Sequence, residues 1–396
     1  MKESIFNYHS VINDKNYLFN TNNGGLLELT KSDFNNEEKD YLARQGFYVD
    51  ENIDEIQKLE DEVNESIWSG SESLELTIAL TNQCNFKCAY CYQDKNQKVM
   101  SMQVADDILQ KIESILSKGN YKEIYIHYFG GEPLLNIPIL KYLDNNICKS
   151  AQDNHVKYVS FITTNGEMLD DSVLQSVKLD HIQLTFDGRE ETHNKLRISE
   201  TFHFKDEIAL LKKILDTTNA RITLRMNACV ENKEEIREFY QSILKQFGYE
   251  RIDINLNRMI KFHEKDNFEM LDQKEYAQLF FDIKKLYEEI TGKFQLPIPR
   301  KTNCKFICGM AYSISPDGYC NFCSGSVENG TILFKDIDIT KRNEIKFRKE
   351  CKSCTFLPLC LVGCIVQHNI GAGCCTYEKF CMEDILKYYI EKTEAL

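Results

Sequence analysis

Between residues 74 and 290 strand-like and helix-like patterns alternate six times, and this alternation constrains the fold more than any other feature of the chain. Runs of β-branched and aromatic residues mark strands at Leu74–Leu80, Glu123–Phe129, Val156–Thr163, His181–Phe186, Arg221–Cys229 and Ile252–Leu256. Apolar spacing of three and four marks helices at Val104–Ser117, Ile137–Ala151, Ser172–Val177, Ile208–Leu215, Glu234–Phe247 and Lys274–Ile290. Strands regularly separated by helices pair in parallel through right-handed crossovers, so the expected fold class is α/β, an open or closed barrel of six β/α units. Active groups then belong at the C-terminal ends of the strands.

The flanks read differently. Residues 1–70 form a small α+β module, with strands near Ile5–Val11 and Tyr17–Asn20, a Gly24-Gly25 turn, a helix over Glu37–Gln45 and an acidic amphipathic segment over Asn52–Trp68. Ser69-Gly70-Ser71 reads as a linker, and 71–296 as the barrel. From Cys304 onward, within the expected third region 297–396, the chain is cysteine-rich, glycine-punctuated and weakly periodic. Metal ligation rather than an apolar core is expected to organise it.

Sixteen cysteines in a small secreted protein would signal disulfides, yet this chain has 396 residues and its first nine contain no signal-peptide core. A reduced, cytoplasmic protein is expected. No apolar run is long enough to span a membrane. The formal charge of −13, with no dense Lys/Arg cluster, disfavours nucleic acid as a partner.

Cys84, Cys88 and Cys91 form a CX3CX2C triplet just after the first strand, one ligand short of a closed site. Three thiolates hold three irons of a four-iron four-sulfur cube and leave the fourth open. Zinc sites more often use two separated CX2C pairs. After the second strand comes Phe129-Gly130-Gly131-Glu132-Pro133, where two glycines let backbone approach a ligand and Glu132 can accept from a cationic amine.

These two motifs together resemble the radical S-adenosylmethionine superfamily, whose loop carries an aromatic residue before the third cysteine, here Tyr90. The resemblance implies a partial (β/α)6 TIM-like barrel. In that family the open iron chelates S-adenosylmethionine, and the reduced cluster cleaves it to a 5′-deoxyadenosyl radical. It further implies that Tyr90 packs near the adenine and that Gly130, Gly131 and Glu132 cradle the methionine amine. The run Thr185-Phe-Asp187-Gly188 through Arg197 resembles the fourth-strand segment of the peptide-modifying branch, which assigns cofactor contacts to Thr185 and Arg197. A surface arginine and a helix-capping threonine are the plain alternative. Thr164-Asn165-Gly166, after the third strand, reads as a turn that could also contact the cofactor.

The C-terminal cysteines resemble the SPASM extension of peptide and protein maturases, which carries two auxiliary four-iron clusters, making three in all. By that resemblance Cys351, Cys354, Cys360 and Cys381 hold one, and Cys308, Cys323 and Cys364 hold the other. Cys304 lies near the place of the eighth ligand, closer to Cys308 than in the sulfatase-maturing relatives. With Cys304 both clusters are fully thiolate-ligated and suit electron transfer; without it an open iron could accept a substrate thiolate. Cys148, Cys229 and Cys320 read as small buried hydrophobes, and the adjacent Cys374 and Cys375 receive no role.

The resemblance implies a maturase that oxidatively modifies a ribosomally made precursor peptide, by thioether or other crosslink, with an electron donor such as flavodoxin or ferredoxin. An anaerobic sulfatase maturase forming formylglycine is the near alternative. Against it stand Ser324 where those relatives carry an aspartate and the 70 residues ahead of the radical loop. A nonenzymatic iron–sulfur carrier or zinc scaffold is the rival of another class.

Overall fold

The computed structural model describes residues 1–31, 33–69, 72–93, 96–263, 266–323, 325 and 330–394. Gly70 and Ser71 of the expected linker, and Ser324, lie outside the described residues. The chain divides into two compact units: Met1–Ser69, Asp272–Cys304 and Glu344–Leu396 make the first, and Gly70–Leu271 with Lys305–Asn343 the second.

In the first unit, β1 (Lys2–Glu3), β2 (Asn7–Ile12), β3 (Lys15–Asn20) and β4 (Leu26–Leu29) precede α1 (Asn36–Arg44), β5 (Tyr48–Val49) and α2 (Glu55–Trp68). Asn13 and Asp14, at φ 52° and 62°, form the two-residue turn that joins β2 to β3, a geometry matched to strand twist. β4 extends this antiparallel sheet and was not visible as a strand in the sequence. The Asn35 side chain caps α1 and Glu38 returns the bond, which satisfies two otherwise orphaned amides.

In the second unit the strands are β6 (Ser73–Ala79), β7 (Glu123–Phe129), β8 (Lys157–Thr163), β9 (His181–Thr185), β10 (Arg221–Ala228) and β11 (Ile252–Arg258). Between them lie α3 (Met102–Leu116), α4 (Ile137–Asp153), α5 (Asp171–Ser176), α6 (Glu190–Leu196), α7 (Phe204–Thr217) and α8 (Lys233–Phe247). The six strands pair in parallel and in chain order, as the alternation predicts. On β7, Ile124, Ile126 and Tyr128 are buried while Tyr125, His127 and Phe129 are only partly so, which is the period-2 signature of a sheet whose two faces meet different surroundings.

The sixth expected helix, α9 (Gln273–Thr291), belongs to the first unit. After it come β12 (Ala311–Ile314), β13 (Tyr319–Asn321) and β14 (Ile332–Leu333), then α10 (Leu357–Cys360), α11 (Ile365–Asn369) and α12 (Glu378–Glu394). The region after Cys304 therefore has apolar organisation of its own, contrary to the sequence expectation. β12 adds to the sheet parallel to β6 with all four residues buried. In the first unit Phe356, Leu359, Met382, Leu386 and Ile390 share a core with Ile12, Tyr17 and Phe19 of the leading strands. Among the described residues no helix is long and apolar enough to cross a membrane.

Candidate functional site

The loop that leaves β6 carries Cys84, Cys88 and Cys91, all half-buried and all free thiols. Backbone bonds hold it on two sides. Gly131 N donates to Thr81 O at 2.9 Å and Glu132 N to Gln83 O at 2.8 Å, while Ala89 N donates to Leu196 O and Lys87 N to Ile198 O. Asn136 adds side-chain bonds to Leu80 O and Met100 O. The two glycines are needed here for the loop itself. A Cβ on Gly130, whose φ is 139°, would collide with Thr81 O, and one on Gly131 would come within 2.7 Å of Asn82 O. What approaches the glycine backbone is thus the cysteine loop.

Glu132 is fully buried, and its carboxylate accepts from Leu134 N at 3.0 Å, Thr164 Oγ1 at 2.7 Å and Asn165 N at 2.7 Å. Burial raises its pKa to about 7 against those three donors, which favour the charged form. Three of the four acceptor positions of the carboxylate are thereby engaged. Two of the three donors come from Thr164-Asn165-Gly166, the segment read from the sequence as a turn. Asn165 Nδ2 also donates to Asn85 Oδ1 inside the cysteine loop, at 2.7 Å.

Tyr90 donates its hydroxyl to Asp187 Oδ2, and Asp187 Oδ1 accepts from Asn227 N at 2.8 Å. Its ring packs against Leu196, Cys229, Met259 and Phe268. Burial, then the Asp187 charge, holds the Tyr90 phenol well above its usual pKa. Thr185 ends β9 opposite Arg225 and is buried.

Arg197 is 6% exposed, so the surface alternative does not hold. Its guanidinium lies 5.3 Å from the Phe86 ring centroid and 4.0 Å from Glu207 Oε1, and Glu207 Oε2 meets His193 Nε2 at 3.2 Å. Arg197 Nε and Nη2 are buried without a hydrogen-bond partner. Burial opposes its charge, but Glu207, Tyr90, Cys88 and Asp187 together hold its pKa well above the ordinary value. Burial pushes the Cys88 thiol up to about 12, with Arg197 pulling the other way. Buried, unpartnered guanidinium N–H groups beside a cysteine loop fit an anionic group such as an iron–sulfur cluster or an amino-acid carboxylate.

Asp187 and Glu207 escaped the sequence reading. Asp187 sat unremarked within the Thr185–Arg197 run. For Glu207 a signal existed, because 207, 210, 211 and 214 share the buried face of α7 at helical spacing.

The partly exposed sheet face is polar. His127 stacks on Phe161 at 4.3 Å and bonds Thr163 Oγ1 at 2.8 Å, and Gln183 Nε2 donates to the same hydroxyl. Arg225 Nε donates to Asn227 Oδ1 at 2.9 Å. Burial, then the Arg225 charge, lowers the His127 pKa to about 3. His127 is therefore expected to stay neutral across about pH 5–8, where an ordinary imidazole titrates, and NMR titration of its ring carbon protons checks this.

Of the remaining cysteines, Cys304 and Cys364 are exposed and belong to the first unit, whereas buried Cys308 and half-buried Cys323 belong to the second. Cys351, Cys354 and Cys360 are half-buried and Cys381 is buried, all in the first unit. Cys229 and Cys320 are buried as expected, but Cys148 is only half-buried, at the side of α4. Among the described residues no three His, Cys, Asp or Glu side chains gather as for a single metal ion. A four-iron cube spaces its thiolates more widely than one ion does.

Parallel strands with polar and thiol groups gathered at their C-terminal ends make that end of the partial barrel the candidate site. Residues 78–243 match the Radical SAM superfamily, and the chain carries a radical SAM domain. Among curated proteins it is 27% identical over 145 residues to the radical SAM cyclopropyl synthase TigE of Paramaledivibacter caminithermalis, covering 32% of this chain and 30% of that one. The chain thus spans under a third of that relative's length. Among solved structures, anSMEcpe with bound AdoMet and the Kp18Cys peptide superposes with a TM-score of 0.62 at 17% identity, over 80% of this chain and 99% of that one. Streptococcus suis SuiB bound to the precursor peptide SuiA superposes with a TM-score of 0.56 at 16% identity, over 94% and 97%. Both likenesses concern the fold.

Proposed function

We propose that this chain is a radical S-adenosylmethionine enzyme that oxidatively modifies a ribosomally made precursor peptide, forming a thioether or another crosslink. Cys84, Cys88 and Cys91 would hold the cofactor-binding cluster, and the C-terminal cysteines two auxiliary ones. When bound, the first cluster and S-adenosylmethionine supply a 5′-deoxyadenosyl radical that removes a carbon-bound hydrogen. The observation that carries this reading is Arg197, a buried guanidinium near the Cys88 thiol whose Nε and Nη2 make no hydrogen bond, with only the Glu207 carboxylate at 4.0 Å, so that it can take a further anionic group.

The other residues position and exclude. Gly130 and Gly131 let the loop close on the end of β7, and Glu132 ties that end to β8 through Thr164 and Asn165. Asp187 fixes the Tyr90 ring against the apolar cluster around Met259. Arg225, partly exposed on the polar sheet face and held by Asn227, would offer a donor to a peptide backbone. The peptide as substrate is supported by the SuiB likeness, which extends over nearly the whole chain and whose structure contains a precursor peptide. A reducing compartment such as the cytoplasm suits sixteen free thiols, and a flavodoxin or ferredoxin would supply electrons.

The test is anaerobic reconstitution followed by co-expression with a short cysteine-containing peptide encoded beside the gene. Release of 5′-deoxyadenosine and loss of two hydrogens from the peptide are expected. An aldehyde trapped by a hydrazide would instead identify formylglycine formation, and no 5′-deoxyadenosine under reducing conditions would sink the enzyme reading.

A further inference from the structure

The family likeness puts Cys381 last among the ligands of one auxiliary cluster, and the first unit places that residue elsewhere. Cys381 is 3% exposed in an apolar cluster with Ala277, Phe281 and Ile385. Its Sγ lies 3.4 Å from Tyr377 O, and the charges that act on it are those of Glu378, Asp384, Lys284 and Asp282.

Cys374 sits differently. Arg348 Nη2 donates to its Sγ at 3.2 Å and also to Val362 O, two residues beyond Cys360. Cys360 Sγ lies 4.0 Å from Cys374 O. Arg348 also faces Cys351, and Cys354 N closes a turn on Cys351 O at 3.0 Å. One guanidinium thus links Cys351, Cys374 and the chain just after Cys360. Cys375 also neighbours Cys360, but it is exposed and its thiol meets Lys379 Nζ at 3.8 Å rather than Arg348.

The backbone is shaped for this approach. Leu361, Val362 and Gly363 follow Cys360 with φ of 46°, 66° and 64°, three successive left-handed residues of which one is β-branched. Such a run persists only where surrounding structure over-determines it, and it clusters at ligand sites. A Cβ on Gly363 would collide with Cys374 O, so the glycine is what admits the Cys374 segment to the turn. Arg348 would offer positive charge and N–H donors to the sulfurs of such a cube, which tunes its potential.

We propose that the auxiliary cluster of the first unit is held by Cys351, Cys354, Cys360 and Cys374, with Cys381 a core residue of α12. This rests on the auxiliary-cluster reading above. The test counts iron and sulfide in anaerobically reconstituted full-length protein and records the EPR spectrum of the reduced form. Against about twelve irons in the unmodified protein, Cys374→Ala is expected to hold about eight and to lose one of the two auxiliary signals. Cys375→Ala and Cys381→Ala keep the parental count. Retained 5′-deoxyadenosine release shows that Cys374→Ala has folded. Parental iron in Cys374→Ala, loss of about four irons in Cys381→Ala, or loss of all iron in both Cys374→Ala and Cys374→Ser overturns the assignment. Only about four irons in the unmodified protein removes the auxiliary reading and this inference with it, a failure visible before any variant is made.

Discussion

Cys88→Ala is expected to abolish 5′-deoxyadenosine release, by more than ~100-fold, because losing a direct ligand costs more than the 10–100-fold typical of outer-shell partners. Cys88 is the middle thiol of the loop, and its neighbourhood is one-sided. Burial disfavours its thiolate, and Arg197 is the cation that opposes this. Two remaining thiols cannot hold three corners of a cube. Iron content should therefore fall by about four per chain, with the auxiliary complement intact. Iron counting, EPR and product chromatography on the same sample check this. Undiminished cofactor cleavage would falsify the ligand assignment for the triplet.

Gly130→Ala is expected to be the most damaging single methyl group in the barrel. Two costs combine. A φ of 139° is a conformation that side-chain-bearing residues rarely adopt, and the new Cβ collides with Thr81 O, a backbone atom that cannot rotate aside. Strained backbone of this kind costs ~1–3 kcal/mol alone, and the collision adds to it, so a loss above ~3 kcal/mol or a displaced cysteine loop follows. Gly119 is the matched control: its φ is 70° and nothing lies within 4 Å of the added Cβ. Gly119→Ala should cost only ~1–2 kcal/mol, the left-handed penalty. Thermal unfolding of both variants, with iron content after reconstitution, separates the two costs. Equal effects at the two positions would show that the close approach plays no part.

The parallel sheet was legible because each strand and helix has its own local period, and local periods survive in the sequence. Glu123–Phe129 is the clearest case: observed and expected strand coincide. β12 was not legible because all four of its residues are buried, so no alternation marks it, and its partner β6 lies more than 230 residues earlier. α12 was missed for a related reason. Its apolar residues are spread around it and its regular backbone breaks at Cys381 (φ −138°, ψ 20°). The cysteine triplet and the Gly-Gly-Glu-Pro turn were legible as chemistry, since three thiols at short spacing have few other uses. That the two glycines serve the loop backbone was not, because close approach is a property of two segments at once.

By itself the sequence determined the order of strands and helices, the three-thiol loop after the first strand and the glycines after the second. Each depends on residues within a few positions of one another. Only the tertiary structure decided that Arg197 is buried against Glu207, that Glu132 is engaged by Thr164 and Asn165, that Arg348 bonds Cys374, and that the Cys381 thiol meets Tyr377 O. Burial and charge pairing depend on which distant segments the topology brings together, and spacing along the chain does not encode that.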